Sequence, residues 1–484
     1  MSGRRSLVLL SLLALAAPAL AALPADAGAP DTAHRAATAA PFRLWAPRAV
    51  ETYGYRGRVW TDLGLRVVAT GAPLELWSQR TSYAEPIRTV WRSPAGDVAL
   101  PAGAMRNFSG LQDFVRLTIT PARGEPVTLH RKACLSGWSE RVDPAAAATS
   151  PYPSGCWSNP FSLGSVQGVQ AGWATLVLGS ERPLRLAPGR YRVRAEVAPR
   201  YATLFGLSAA QATRTVRLVV KAEPVEEEPP SEDTSPDAER SAAHAPSGPA
   251  GRVDGPVPDL RPLPAWGISL SRNGTHLRFS ATVWNAGTSP LVVDGFRERG
   301  RDEMAAYQYF FDAVGTQTGY QQVGHLHWDA KPSHLHWHFE DFARYTLLRR
   351  NRTEAAVSRK EAFCLANTDA VDLTIPDAAW KPDNTDLATS CGDLTSLSIR
   401  EVLAAGWGDT YTQFRAGQSF RVDGLPNGVY YIAVRANPDG NLVESSVSNN
   451  LALRRIELGG TPAHRTVTVP AVGVVSDEGY GGTG

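Results

Sequence analysis

Apolar and polar positions alternate in short runs along this chain, with few of the three-to-four-residue stripes that mark long helices. In the stretch Phe114, Arg116, Leu117, Thr118, Ile119, Thr120 the apolar side chains alternate with polar ones, the period of a strand. Similar runs, punctuated by Gly and Pro, recur from Phe42 to about Ala222. This is a β-sandwich rhythm, and it predicts an immunoglobulin-like domain over residues 41–222. Residues 223–256 change character, with Glu226-Glu227-Glu228-Pro229-Pro230 followed by Ser, Ala, Gly and Pro. Such a segment has too little apolar surface to offset its ordering entropy and reads as a disordered linker. Beyond it, Leu277, Phe279, Ala281 and Val283 point one way and Arg278, Ser280 and Thr282 the other, which predicts a half-buried strand. Asn285-Ala286-Gly287-Thr288 supplies turn chemistry before Leu291-Val292-Val293 resumes the β pattern. The expected fold is all-β: two β-sandwich-like domains joined by an acidic, Pro-rich linker, the second over 257–458, with a tail at 459–484.

The two halves echo each other. Leu186, Gly189, Tyr191, Val193, Ala195 and Pro199 have the same spacing as Leu425, Gly428, Tyr430, Ile432, Val434 and Pro438. Each set reads as a tight turn feeding a late strand, with one more strand after it. Shared sandwich architecture explains the match better than a chance recurrence of turns before alternating strands.

Composition supports this picture, since 43 Gly and 36 Pro favour turns and strands. A formal net charge of +2 offers no phosphate-steering field and argues against a general nucleic-acid or anionic-membrane binder. At the amino terminus, Arg4 and Arg5 precede an apolar run from Leu7 to Leu20 and the small-residue pattern Ala19-Leu20-Ala21. This reads as a secretory signal peptide over 1–21, too short to span a bilayer, and no later segment is apolar enough to do so. A secreted, extracellular protein is therefore expected. Cys134 with Cys156 and Cys364 with Cys391 form two near pairs, which in an exported chain predicts two local disulfides.

The densest chemistry lies in His334-Leu335-His336-Trp337-His338. On a strand the three imidazoles share one face and Leu335 and Trp337 take the other. Three neutral imidazoles suit Cu(II) or Zn(II) and leave a coordination position open. A surface histidine tract would not sit among Trp328, Trp337, Phe339 and Phe342, which look like core residues. His325 and His327 resemble a shortened copy of the motif, as an added ligand, an outer partner or ordinary hydrogen-bonded residues. His334, His336 and Glu340 also reproduce a cupin-like HxH and acid, but the only later histidine, His464, has no matching motif around it.

Several ordered segments together resemble the catalytic domain of the lysyl oxidase family. They are Leu277–Leu291 with its Asn285 and Gly287 turn, the HxHxH with Phe342 and Tyr345, Lys360-Glu361-Ala362-Phe363-Cys364-Leu365, Asp409-Thr410-Tyr411, and the closing Asn437-Pro438, Glu444-Ser445 and Asn449-Asn450. The resemblance implies copper held by His334, His336 and His338, and a lysine tyrosylquinone cofactor made from Lys360 and Tyr411. It also implies a primary amine or lysine-containing protein as substrate, with dioxygen as oxidant. Two departures stand out. Animal members carry many more cysteines in this domain, and a histidine that family members place just before the equivalent of Tyr345 is here Arg344.

Asp409 is the candidate catalytic base, because on a strand it would share a face with Tyr411; a turn-forming aspartate after Gly406-Trp407-Gly408 is the competing reading. Taken singly, Lys360 reads as a solvated lysine and Tyr411 as a packed strand tyrosine, and only their placement with the histidines suggests a cofactor. A burial of Lys360 beside Arg359 would favour its neutral, nucleophilic form. The alternatives are a copper- or zinc-binding extracellular β protein without a quinone, or an adhesion protein whose second domain is a spent scaffold.

Overall fold

Alternation produces strands, and the computed structural model has 32 of them with two short helices among the described residues. It describes residues 40–477 apart from 158, 180–181, 223–245, 247–248, 252–253, 331–334, 361, 384, 416 and 463. The expected leader, most of the expected linker and the last residues of the tail lie outside the described residues.

In the first half, a five-stranded sheet runs in the order Ala49–Gly54, Thr213–Ala222, Gly189–Val197, Leu111–Pro121, Val127–Ala133. Ala49–Gly54 pairs parallel to its neighbour and the rest pair antiparallel. Two four-stranded sheets and a two-stranded one complete this half among the described residues, and its core holds Phe42, Trp91, Phe114, Tyr201 and Phe205. In the second half, the core drawn from Leu260 to Leu458 lies among three sheets. One orders Ala362–Phe363, His336–Glu340, Gln317–Asp329, Glu303–Phe311, Leu291–Phe296 and Ser398–Leu403. The second carries Leu260–Pro262, His276–Asn285, Trp407–Tyr411 and Asp369–Ala370, and the third closes the fold with Ala343–Arg349, Gly428–Ala436 and Leu451–Thr461.

The internal echo has a structural cause. Tyr191 donates its hydroxyl to the carbonyl of Ala187 at 2.8 Å, and Tyr430 donates to Pro426 at 2.8 Å, four residues back in both cases. Each is a tyrosine corner, in which the phenol ties the entry of a late strand to its own turn. The strands that follow, Thr213–Ala222 and Leu451–Thr461, pair antiparallel with the tyrosine-bearing strand in both halves.

One expectation fails in an informative way. The His276–Asn285 strand is not half-buried, because Ser280 and Thr282 on its polar side are as inaccessible as Phe279 and Ala281. Polar partners cover that side: Ser280 donates its hydroxyl to Gln413, and Thr282 meets Thr410 at 2.7 Å and Asn159 at 2.9 Å. Alternation in the sequence therefore marks two chemically different buried faces.

Asn159 belongs to the first half, and its reach into the second is part of a broad seam. Leu163 donates its N–H to Val371, and the carbonyl of Gly164 accepts from Leu373. A side chain on Gly164 would meet the carboxylate of Asp372 at 2.0 Å, so the two backbones pair only because this residue has none. Phe161 packs with Leu263, Trp266, Trp284 and Val371, and Trp157 meets Trp407 edge-on at 4.7 Å.

Candidate active site

The histidine strand behaves as its alternation predicts. Trp337 and Phe339 enter the core, while His336 and His338 turn to the opposite face with their Nε2 atoms 2.9 Å apart. His338 is 3% exposed, and its Nδ1 lies 3.7 Å from the carboxylate of Asp329. A carboxylate behind one ring nitrogen fixes the tautomer and leaves the other free to ligate, the arrangement usual for metal-bound imidazoles. Two nitrogens converging on one point fit a copper or zinc ion. His334 lies outside the described residues.

His325 and His327 lie on the strand paired with this one, where the register sets His327 opposite His338. They stand on the same face of the neighbouring strand, half-exposed, within 3.3 Å and 3.6 Å of Glu303, and His327 lies 3.4 Å from Glu340. His464 is exposed on a strand of the closing sheet.

Lys360 and Tyr411 come together. The ammonium nitrogen of Lys360, a residue only 6% exposed, sits 4.4 Å from the centre of the Tyr411 ring and 5.4 Å from that of Phe363. Tyr411 is held at both ends: its hydroxyl accepts from the N–H of Cys364 at 2.9 Å and donates to the Cys364 carbonyl at 3.2 Å, while its ring meets Phe363 edge-on at 5.0 Å. The strand Ala362–Phe363 pairs with His336–Glu340, so one short element connects the histidine sheet to the tyrosine. The Cys364–Cys391 disulfide clamps this segment, and Cys134–Cys156 closes the other expected bridge, with Cα separations of 6.0 and 5.9 Å. Cys364, Cys391 and Glu401 cluster like metal ligands, but both sulfurs are committed to the disulfide.

Asp409 lies inside the Trp407–Tyr411 strand, buried, and not in a turn. It accepts from the N–H of Ala366, and its Oδ2 has no hydrogen-bond partner among the described residues. Burial, reinforced by the nearby charge of Asp369 and opposed by Lys360, holds its carboxyl well above the ordinary aspartate range. Glu401 is pushed up in the same way by burial, although it accepts from the N–H groups of Leu365 and Phe339 and faces Lys360. Burial also keeps the Tyr411 phenol protonated, with Asp409 and Glu401 adding to the effect. Tyr345 contacts Phe363 and is raised by burial and by Asp409. Besides the aromatic rings, Lys360 thus faces two carboxyl groups, those of Asp409 and Glu401.

Glu401 was missed in the sequence, although its signal was present. In Ile399, Glu401, Leu403 an acid occupies a core-facing position of an alternating strand, and both flanking residues are buried. Arg344 is exposed on the outer side of its strand while Ala343 and Tyr345 face inward, so that position contributes nothing to this cluster.

An all-β scaffold that brings converging imidazoles into one sheet with a buried lysine, tyrosine and carboxylates beside it has the parts of an oxidase. Residues 298–467 match the protein-family model described as lysyl oxidase, so this part of the chain is similar to that family. The match supports a copper-dependent amine oxidase kind of function. Among curated proteins no relative matches the chain.

Proposed function

We propose that this protein is a secreted copper- and quinone-dependent amine oxidase. It converts primary amines, peptidyl lysine among them, with dioxygen and water to aldehydes, ammonia and hydrogen peroxide. The observation that carries the proposal is the placement of the Lys360 amine 4.4 Å from the centre of the Tyr411 ring, within a buried pocket walled by Asp409 and Glu401. A packed tyrosine and a solvated lysine need no such arrangement. Burying an ammonium is costly unless the site uses it. Secretion is supported by the leader-like amino terminus and by the pairing of all four cysteines.

His336 and His338, with His334 as the third member of the motif, would hold the copper, which supplies one-electron chemistry with dioxygen. The chain's own residues prepare the rest. Cys364 fixes the Tyr411 hydroxyl from both sides, and Phe363 limits tilting of its ring. Lys360 acts as a nucleophile only when neutral, and burial together with its nearness to Asp409 sets where its proton goes. In turnover, the unpartnered Oδ2 of Asp409 is the acceptor for the substrate's α-proton. Residues 257–458 would carry this chemistry, with the immunoglobulin-like region 41–222 ahead of them.

The test is an amine-dependent peroxide assay on copper-loaded, aerated protein, with Tyr411→Phe as the control. Peroxide from the native protein and none from the variant supports the proposal. Full copper with no peroxide from either leaves a metal-binding extracellular protein in its place.

A further inference from the structure

A cavity of about 550 Å³ lies in the first half, far along the chain from the histidines and Tyr411. Its size falls within the range of roughly 300–1,000 Å³ usual for small-ligand sites. The Cys134–Cys156 bridge lines it together with Leu117, Leu176 and Leu184, and its walls carry His130, Arg131, Lys132 and Arg182. Asp113 is the single acidic residue among the described lining residues.

Three features of this groove point to a ligand. First, its cations outnumber its acids among the described residues. Elsewhere arginines find carboxylates, as in Arg116 with Glu196 and Arg400 with Asp294. Arg131, Lys132 and Arg182 have no ion-pair partner among the described residues; Arg131 donates to a backbone carbonyl and Lys132 to the hydroxyl of Ser109. Second, Arg131 and Arg182 are close enough for each to feel the other. Partial burial and the charge of Arg182 both lower the proton affinity of Arg131, a repulsion that a bound anion relieves. Third, Trp138 at the rim is 80% exposed, and its backbone is fixed. Its carbonyl accepts from Leu176, while the preceding turn is tied by the disulfide, by Ser136 accepting from Gly168 and by Leu135 donating to Gln167. A large ring held out in water by a rigid turn is a preformed contact surface.

We propose that this groove binds an acidic glycan: Arg131 and Arg182 hold a uronic-acid carboxylate, and a sugar face lies on Trp138. Planar guanidinium groups match a carboxylate in bidentate geometry. The flat apolar face beside them matches a pyranose ring bearing that group. A nucleic-acid strand fits less well, because it needs cations and stacking rings spaced over several nucleotides, whereas this groove offers one compact cluster and one ring. Binding here is independent of the oxidase chemistry.

The test uses the full chain. Oligomers of polygalacturonate, alginate and hyaluronan are titrated by calorimetry and by tryptophan fluorescence. Neutral galactan oligomers, a single-stranded oligonucleotide and inorganic sulfate are the comparisons. At least one uronate oligomer should bind, more weakly as salt rises. Binding should fall about tenfold or more in the Arg131→Gln/Arg182→Gln double variant, and also in Trp138→Ala, with loss of the fluorescence change. Amine-dependent peroxide and thermal stability should stay as in the native protein. Failure of all three uronates, equal binding of the neutral oligomer, tighter binding of the oligonucleotide, sulfate binding as tightly as the glycan, or indifference to the double variant would each overturn the proposal.

Discussion

The Lys360 amine and the Tyr411 ring face each other at 4.4 Å, although Lys360 lies in the connection before Ala362–Phe363 and Tyr411 ends a strand of another sheet. Lys360 reaches that position because the following segment, Ala362–Phe363, is paired with the histidine strand, and Cys364 is bound both to Cys391 and to the Tyr411 hydroxyl. Proximity of this kind replaces a bimolecular encounter with an intramolecular one.

The first prediction follows from that proximity. Copper-loaded, aerated protein should yield, on proteolysis, a cross-linked peptide joining the segments of Lys360 and Tyr411, together with a visible absorbance that phenylhydrazine shifts. Tyr411→Phe should abolish both while keeping copper, at a stability cost of about 1 kcal/mol from its lost hydrogen bonds with Cys364. Copper-replete protein with neither the peptide nor the absorbance would sink the quinone.

Metal content discriminates among the histidines. His336→Ala and His338→Ala should each lower copper occupancy sharply in elemental analysis, because their Nε2 atoms converge at 2.9 Å. His464→Ala, on an exposed strand of another sheet, should leave it unchanged. Full occupancy in both strand variants would overturn the ligand assignment.

Glu401 makes stability depend on pH in a defined direction. Its carboxyl is raised by burial above the ordinary value of 4.5, so the folded state holds its proton more tightly than the unfolded chain. The stabilisation linked to that proton is full below the ordinary value and is lost as pH rises towards the folded one. Glu401→Gln keeps a backbone acceptor for Leu365 and has no proton to lose, so its stability relative to the native protein should improve as pH rises above about 4.5. Parallel denaturation curves for the two proteins at pH 4 and pH 8 would count against a buried, protonated Glu401.

The seam between the two halves carries a fourth prediction. Phe161→Ala removes a fully buried ring packed against Trp284 and Val371, and should cost about 3–5 kcal/mol. The loss should appear in the second half as well, as faster amide exchange in Trp407–Tyr411, which Trp157 and Asn159 back through Trp407, Thr282 and Thr410. Unchanged exchange in that strand would mean that the seam does not support it.

Much of this was legible in the sequence, because period-two patterning is local. The all-β class, the facing of His336 and His338, and both disulfides follow from residues close in the chain. The echo was visible too, and the tyrosine corners at Tyr191 and Tyr430 explain its spacing, since each phenol must reach a carbonyl four residues back. What stayed hidden depends on distant segments. Nothing near Ser280 and Thr282 announces that Asn159 and Gln413 will cover them. Asp369 gave no sign that it would accept from Thr410 and stand near Asp409. Glu401 alone was readable in principle, as an acid where the alternation calls for an apolar side chain.

The pairing of Leu163 and Gly164 with Val371 and Leu373 also bears on how the molecule responds to proteolysis. A chain severed between residues 223 and 256 would remain one particle, its fragments joined by backbone hydrogen bonds and by the aromatic contacts of Phe161 and Trp157. Such a nick would show on a denaturing gel and pass unnoticed on a sizing column. Maturation by shedding the amino-terminal half is thereby disfavoured: release would uncover Trp284, Val371 and Trp407 to water, leaving the remainder sticky rather than activated.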